Sequence, residues 1–117
     1  MVIRRGDIWW AELPEPTGLE AGFRRPVVVV QEDALNQSRI QTIVVVPLYS
    51  TLKHLAHSAN IELAVEATSL QRTSVAVTIQ VFALNRSQLC ERVGTVSLNY
   101  MDELDYALAR TLGLLPV

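Results

Sequence analysis

Cysteine is nearly missing from this 117-residue chain, which has only Cys90. Neither an intrachain disulfide framework nor a cysteine-based zinc site can be built from it, and an intracellular, reducing compartment is expected. Histidine is almost as scarce: His54 and His57 are too few for a metal cluster, so no metal and no cofactor is expected. An excess of positive charge is also lacking. Ten Lys and Arg against twelve Asp and Glu leave a formal charge of −2, which excludes a globally cationic nucleic-acid binder but not a local basic patch. The longest apolar runs, Val27–Val30 and Ile43–Leu48, fall far short of the roughly 20 residues of a membrane-spanning helix. Asp7 interrupts the start before any stretch of signal-peptide length, so the expectation is a cytoplasmic protein with no membrane partner. The GxxxxGKS/T, GxSxG and HExxH patterns and paired catalytic carboxylates are absent. Their absence excludes ordinary nucleoside triphosphatases, α/β-hydrolases and zincins.

What is present is apolar: half of the residues are hydrophobic, enough for one compact domain spanning residues 1–117. Residues 7–13 read as a strand ended by Pro14. Residues 14–25, with Pro14, Pro16, Gly18 and Gly22, read as a loop longer than most connections in compact domains. Val27–Gln31 and Thr42–Leu48 are continuous β-branched runs, as expected of strands buried on both faces. Glu32–Gln37 reads as a turn and Thr51–Ser58 as a polar loop. Asn60–Val65 and Ser74–Phe82 alternate apolar and polar residues, predicting half-buried strands, and Arg92–Ser97 predicts a short one. The period then changes. Met101, Leu104, Leu108 and Leu112 recur at helical steps, with Asn99 as N-cap, Asp102 and Glu103 in the first turn, Gly113 as the stop and Pro116 as terminator. Many short strands followed by one helix predict a mainly β fold, a small, bent barrel closed by a C-terminal helix.

Four of the ten basic residues form two pairs, Arg4-Arg5 and Arg24-Arg25, and antiparallel pairing of their strands is expected to bring them close. Such pairs serve either as solvated strand ends or as an oxyanion site, for which the planar arginine fork is suited. Pro26 restricts Arg25 to extended conformations and so fixes where it stands. Tyr49, Ser50 and Thr51 close a buried run; they are either strand-end caps or groups that bind a phosphate, and Tyr49 could stack on a base. Gln80 is read as structural or base-reading. Trp9-Trp10 places one ring on each strand face, one in the core and the other partly exposed or in a subunit contact. His54 and His57 read as loop residues or, less simply, as a source of general acid.

Taken in order, these segments resemble the MazF/PemK family of toxin endoribonucleases over nearly the whole chain. Arg5-Gly6-Asp7-Ile8-Trp9 is similar to the family's opening, and the segment from Gly18 through Glu20 to Arg25-Pro26-Val27 to its second motif. Gln31, Glu32, Asp33 and Asn36 match the following turn, and Val44–Leu48 the strand before its threonine motif. Ser74-Val75-Ala76 and Gln80 match the next strand, and Met101 to Leu114 the closing helix. The resemblance implies an SH3-like barrel of the MazF/CcdB type, a homodimer, a cognate antitoxin whose tail occupies the RNA groove, and metal-independent cutting of single-stranded RNA at a short sequence. It implies 2′-OH attack, giving a 2′,3′-cyclic phosphate and a 5′-OH. It puts the catalytic arginine at Arg25 and the family's threonine position at Tyr49, with Ser50 as the neighbouring hydroxyl. Arg5, Arg24, Thr51, Lys53 and Gln80 would line the RNA path and Glu20 would accept from a base edge. Some members carry an acidic residue one place before the glutamine, where this chain has Ile79. A non-cutting RNA binder and a CcdB-like inhibitor of a protein target are the other activities this barrel could carry.

Overall fold

A computed structural model describes residues 1–57 and 59–115. Three strands form its centre: β1 (Asp7–Glu12), β2 (Arg24–Val29) and β3 (Thr42–Tyr49). β1 pairs antiparallel with β2, and β2 with β3, in the registers Trp9↔Val27 and Val28↔Val46. Residues of opposite parity feed two separate cores. Trp9, Ala11, Val27, Val29, Ile43 and Val45 pack on one face, and Ile8, Val28, Val46 and Leu48 on the other. This two-sided burial is why β2 and β3 are apolar without alternation.

Between β2 and β3 stands a single helical turn, α1 (Asp33–Asn36). Buried Asn36 of this turn and buried Gln31 just before it bond each other, 2.9 Å from Gln31 Nε2 to Asn36 Oδ1, and Gln31 Oε1 accepts from Val44 N at 3.1 Å. The polar residues of this turn are thus a satisfied knot that fixes the β2–β3 connection.

The 51–58 segment contains a 3₁₀ turn, Leu52–Ala56; Ser58 lies outside the described residues. The expected strand 60–65 is shorter, β4 (Ile61–Leu63), and Val65 already begins α2 (Val65–Thr68). The expected strand 74–82 is two strands, β5 (Ser74–Ala76) and β6 (Phe82–Asn85), broken by a 3₁₀ turn at Thr78–Gln80. Thr78 is buried rather than solvent-facing: its Oγ1 donates to Ala59 O at 2.6 Å and lies 3.2 Å from Thr111 Oγ1. The break lets β3 pair with β6 through Thr42–Val45 and with β5 through Leu48 and Tyr49. The last strand, β7 (Leu89–Thr95), starts earlier than the expected 92–97 and pairs with β1 through two bulges. The strand order is β4-β5-β3-β2-β1-β7, with β6 branching from β3. The pairing path does not close on itself, so the sheet is barrel-like, and its rolled shape comes from the bulges and from β3 serving two partners.

The helix α3 (Leu98–Thr111) covers the second core. Its N-cap is Ser97 rather than Asn99, so Asp102 and Glu103 fall beyond the first turn. Met101, Leu104 and Ala107 are buried, whereas Leu112 is exposed at the C-cap. Gly113, at φ +71°, closes the helix as expected: its N–H reaches Arg110 O at 3.2 Å and that of Leu114 reaches Ala109 O at 2.8 Å. Pro116 lies outside the described residues. Leu104 is fully buried with Ile8, Val28 and Val46. Leu104→Ala is expected to lower unfolding free energy by about 2–5 kcal/mol; a urea midpoint equal to that of the wild type would contradict this packing.

Candidate active site

The antiparallel register places the two arginine pairs at opposite ends of the β1–β2 hairpin. Arg24 and Arg25 pair with Glu12 and Ala11, whereas Arg5 precedes β1 and its Nε donates to Val30 O at 3.0 Å. The expected convergence is therefore corrected: the strands run antiparallel, so one pair precedes β1 while the other opens β2. Arg5 also pairs with Asp105 of α3, and its N–H bonds Asp33 Oδ1 at 2.7 Å. It is a brace between β1, α1 and α3 and does not line the cleft described next.

That cleft, about 530 Å³, opens beside the start of β2. Arg24, Arg25 and Trp10 line it, Ser50 lines it at the end of β3, and Ser69, Gln71 and Arg72 line it from the α2–β5 connection. Trp9 is the core member of its pair, and Trp10 is the half-buried cleft wall. Arg24 stacks on Trp10, 4.9 Å from guanidinium carbon to ring centroid, and bonds Glu12 Oε1 at 2.9 Å. Arg72 lay outside every sequence motif. It stands on a connection whose Ser69 has φ 64° and which Gly94 lets come close, since a Cβ there would lie 3.3 Å from Thr68 O.

Arg25 is half-buried. Among the described residues its guanidinium donates once, to Leu48 O at 3.3 Å, and lies 4.1 Å over the Tyr49 ring. It makes no ion pair among the described residues, and its buried Nε has no partner. A guanidinium has five N–H donors, so most of this one's capacity is not used by the fold. Proline at 26, strand pairing on one side and an aromatic ring beneath it hold the arm without consuming it.

Tyr49 is occupied differently from a catalytic threonine. Its hydroxyl donates to Gln80 Oε1 at 2.5 Å, and Gln80 Nε2 in turn donates to Leu19 O at 2.9 Å. Burial pushes the phenol above its ordinary 10.0, against the opposing pull of Arg25 and Gln80. Gln80 stands in the 3₁₀ turn rather than on a strand face, and both ends of its amide are bonded. The same ring of Tyr49 contacts His54, centroid to centroid 4.4 Å and tilted 44°. Burial first, then the charges of Lys53, Arg25 and His57, hold His54 below its ordinary 6.5.

Glu20 folds back on its own loop. It accepts from Thr17 N at 3.1 Å, Thr17 Oγ1 at 2.9 Å and Gly18 N at 2.7 Å, and bonds from its own and the Thr17 backbone hold its carboxyl below the usual range. The loop itself is tight at Gly22, where a Cβ would meet Pro16 Cδ at 2.3 Å. Thr51 and Lys53 are exposed beyond Ser50. Among the described residues no His, Cys, Asp or Glu group could hold a metal ion, and no helix is long and apolar enough to cross a membrane.

A small, barrel-like antiparallel sheet under a C-terminal helix is the fold this chain shares with solved MazF toxins. The chain belongs to the PemK-like, MazF-like toxin family of type II toxin–antitoxin systems, whose family model matches residues 4–112. It is 39% identical over 114 residues to "Endoribonuclease MazF2" of Mycobacterium bovis, covering 97% of this chain and 100% of that protein. The same figures hold for "Endoribonuclease MazF6" of Mycobacterium tuberculosis. The fold matches that of MazF from Deinococcus radiodurans with TM-score 0.80 at 23% identity, over 97% of this chain and 98% of the other. It also matches a mycobacterial endoribonuclease solved with its cognate antitoxin, TM-score 0.79 at 21% identity, over 98% and 99% of the two chains.

Proposed function

We propose that the protein is a toxin endoribonuclease of a type II toxin–antitoxin system, cutting single-stranded RNA in the cleft at Arg25 without a metal. RNA carries its own nucleophile, so the enzyme needs to orient the 2′-OH, move protons and stabilise the negative charge that gathers on phosphorus-bound oxygens. Arg25 supplies that charge: a permanent cation, rigidly placed, with donors the fold leaves unused. This unused capacity is the observation that carries the reading. Ser50, exposed in the cleft without a protein partner among the described residues, gives the hydroxyl that bonds the phosphate or the leaving oxygen. Arg24 and Arg72 flank the path, with Trp10 as a surface against which a base can stack.

The products are a 2′,3′-cyclic phosphate and a 5′-OH. The protein works in the cytoplasm as a homodimer, and an antitoxin segment silences it by covering the cleft. Labelled single-stranded RNA incubated with the protein in EDTA should yield fragments with those ends. Binding without fragments would support the non-cutting alternative, and RNA left unbound and uncut would sink the proposal.

The net charge of −2 makes binding depend on the cleft's local cations. Arg72→Ala is expected to weaken binding of a non-cleavable 2′-O-methyl RNA evenly across sequences and to reduce the slope of log K against log salt by about 1. An unchanged slope would remove Arg72 from the path.

A further inference from the structure

The mechanism above assigns a charge to the phosphate and a hydroxyl to the cleft, but no group that takes the proton from the 2′-OH. A guanidinium is too weak a base for that task. The Tyr49 phenol is already donating its hydrogen to Gln80. The carboxylates already described at this end are engaged: Glu20 accepts from Thr17 and Gly18, and Glu12 from Arg24.

We propose that His54 is the general base of RNA cleavage, its imidazole held one aromatic ring away from the Arg25 guanidinium by contact with Tyr49. This rests on the ribonuclease reading given above. His54 is not one of the residues that line the cleft; it is linked to Arg25 through Tyr49, whose ring lies 4.1 Å from the Arg25 guanidinium and 4.4 Å from the His54 ring. The backbone beneath His54 is built rather than loose. Asn60, buried at 7% exposure, donates from Nδ2 to His54 O at 2.9 Å, and His57 N reaches the same carbonyl at 3.3 Å. Among the described residues neither ring nitrogen of His54 is hydrogen-bonded.

The charged and titratable groups that act on it are Lys53 and His57 of its own segment, Arg25 of β2 and the neutral Tyr49 of β3. The strands packed against the 3₁₀ turn add Glu62 of β4, which is not among the groups acting on the ring, and the uncharged β5. Burial first, then the neighbouring charges, Lys53 and Arg25 foremost, disfavour a further charge on the ring and favour the neutral form that can accept a proton.

In the step, the 2′-oxygen forms a bond to phosphorus as its proton passes to a His54 nitrogen. The bond from phosphorus to the 5′-oxygen breaks, and that oxygen takes a proton from water. The imidazolium then returns its proton to the solvent, which balances the one taken up by the leaving group.

The test is the pH dependence of single-turnover cleavage in EDTA for the wild type, His54→Gln and His54→Ala. The wild type should lose activity as pH falls, with a midpoint below 6.5, because the base becomes protonated. His54→Gln keeps a planar polar side chain against Tyr49 but cannot titrate. It should cut about 10²–10⁴-fold more slowly and lack that acidic limb. Added imidazole should partly restore His54→Ala. A His54→Gln enzyme with the wild-type rate overturns the proposal, as does a slow one that retains the limb, which would make the ring merely a support for Tyr49. Wild-type protein that leaves RNA intact fails the ribonuclease reading itself, and His54 as base falls with it.

Discussion

Arg25→Ala is expected to lower RNA cleavage by about 10³-fold, the scale of removing one preorganised charge-stabilising donor, while the protein stays folded. The structure separates the two effects. Residue 25 keeps its place through backbone pairing with Ala11, which the substitution does not touch. What the side chain gives the fold is one bond to Leu48 O and its contact with Tyr49. Losing those should change stability by about 1 kcal/mol, within the ordinary range of a point substitution. Arg25→Lys restores the charge but not the planar fork, and should recover only part of the rate. Thermal unfolding recorded on the same samples separates lost chemistry from lost structure. An Arg25→Ala protein that is folded and cuts normally would displace the cleft from the mechanism.

The second large effect divides the work of Tyr49 and Ser50. Ser50→Ala is expected to cost about 10²-fold in rate, because its hydroxyl has no protein partner among the described residues and its residue lines the cleft next to Tyr49. Tyr49→Phe keeps the ring under Arg25 and against His54 and loses only the bond to Gln80, so its rate should stay close to the wild type. Tyr49→Leu removes the ring as well. A cation–π contact at a half-buried site is worth about 0.5–2 kcal/mol, and losing it together with the support of His54 should slow cleavage by about tenfold or more. The tyrosine in the family's threonine position is then a platform for the arginine, and the hydroxyl function has moved one residue along the chain. A Tyr49→Phe enzyme as slow as Ser50→Ala would return that function to the phenol.

The elements legible in the sequence are those whose pattern is set by local chemistry. β2 and β3 were visible because strands buried on two faces have no polar positions, and the end of α3 because Gly113 supplies a left-handed residue where a helix must close. The extended backbone at Arg25 was legible because Pro26 restricts the residue before it. What stayed hidden depends on distant partners. The alternation through 74–82 has no Gly, Pro or Asn to mark the break at 78–80, and Thr78 looks like a solvent-facing residue until Ala59 and Thr111 are placed beside it. Register, not composition, separates Arg5 from Arg25 and ties it to Asp105. Arg72 joins the cleft through a turn with no motif. The Tyr49 hydroxyl finds its partner in Gln80, 31 residues later.

The central claim is that the 2′-OH of RNA attacks a phosphodiester held at Arg25. It is tested most directly with an RNA carrying a single 2′-deoxynucleotide 5′ to a mapped cut site, incubated with the protein in EDTA beside its all-RNA counterpart. The expected result is a 2′,3′-cyclic phosphate end from the all-RNA strand and no cut at the substituted position. Equal cutting of both strands would contradict the account.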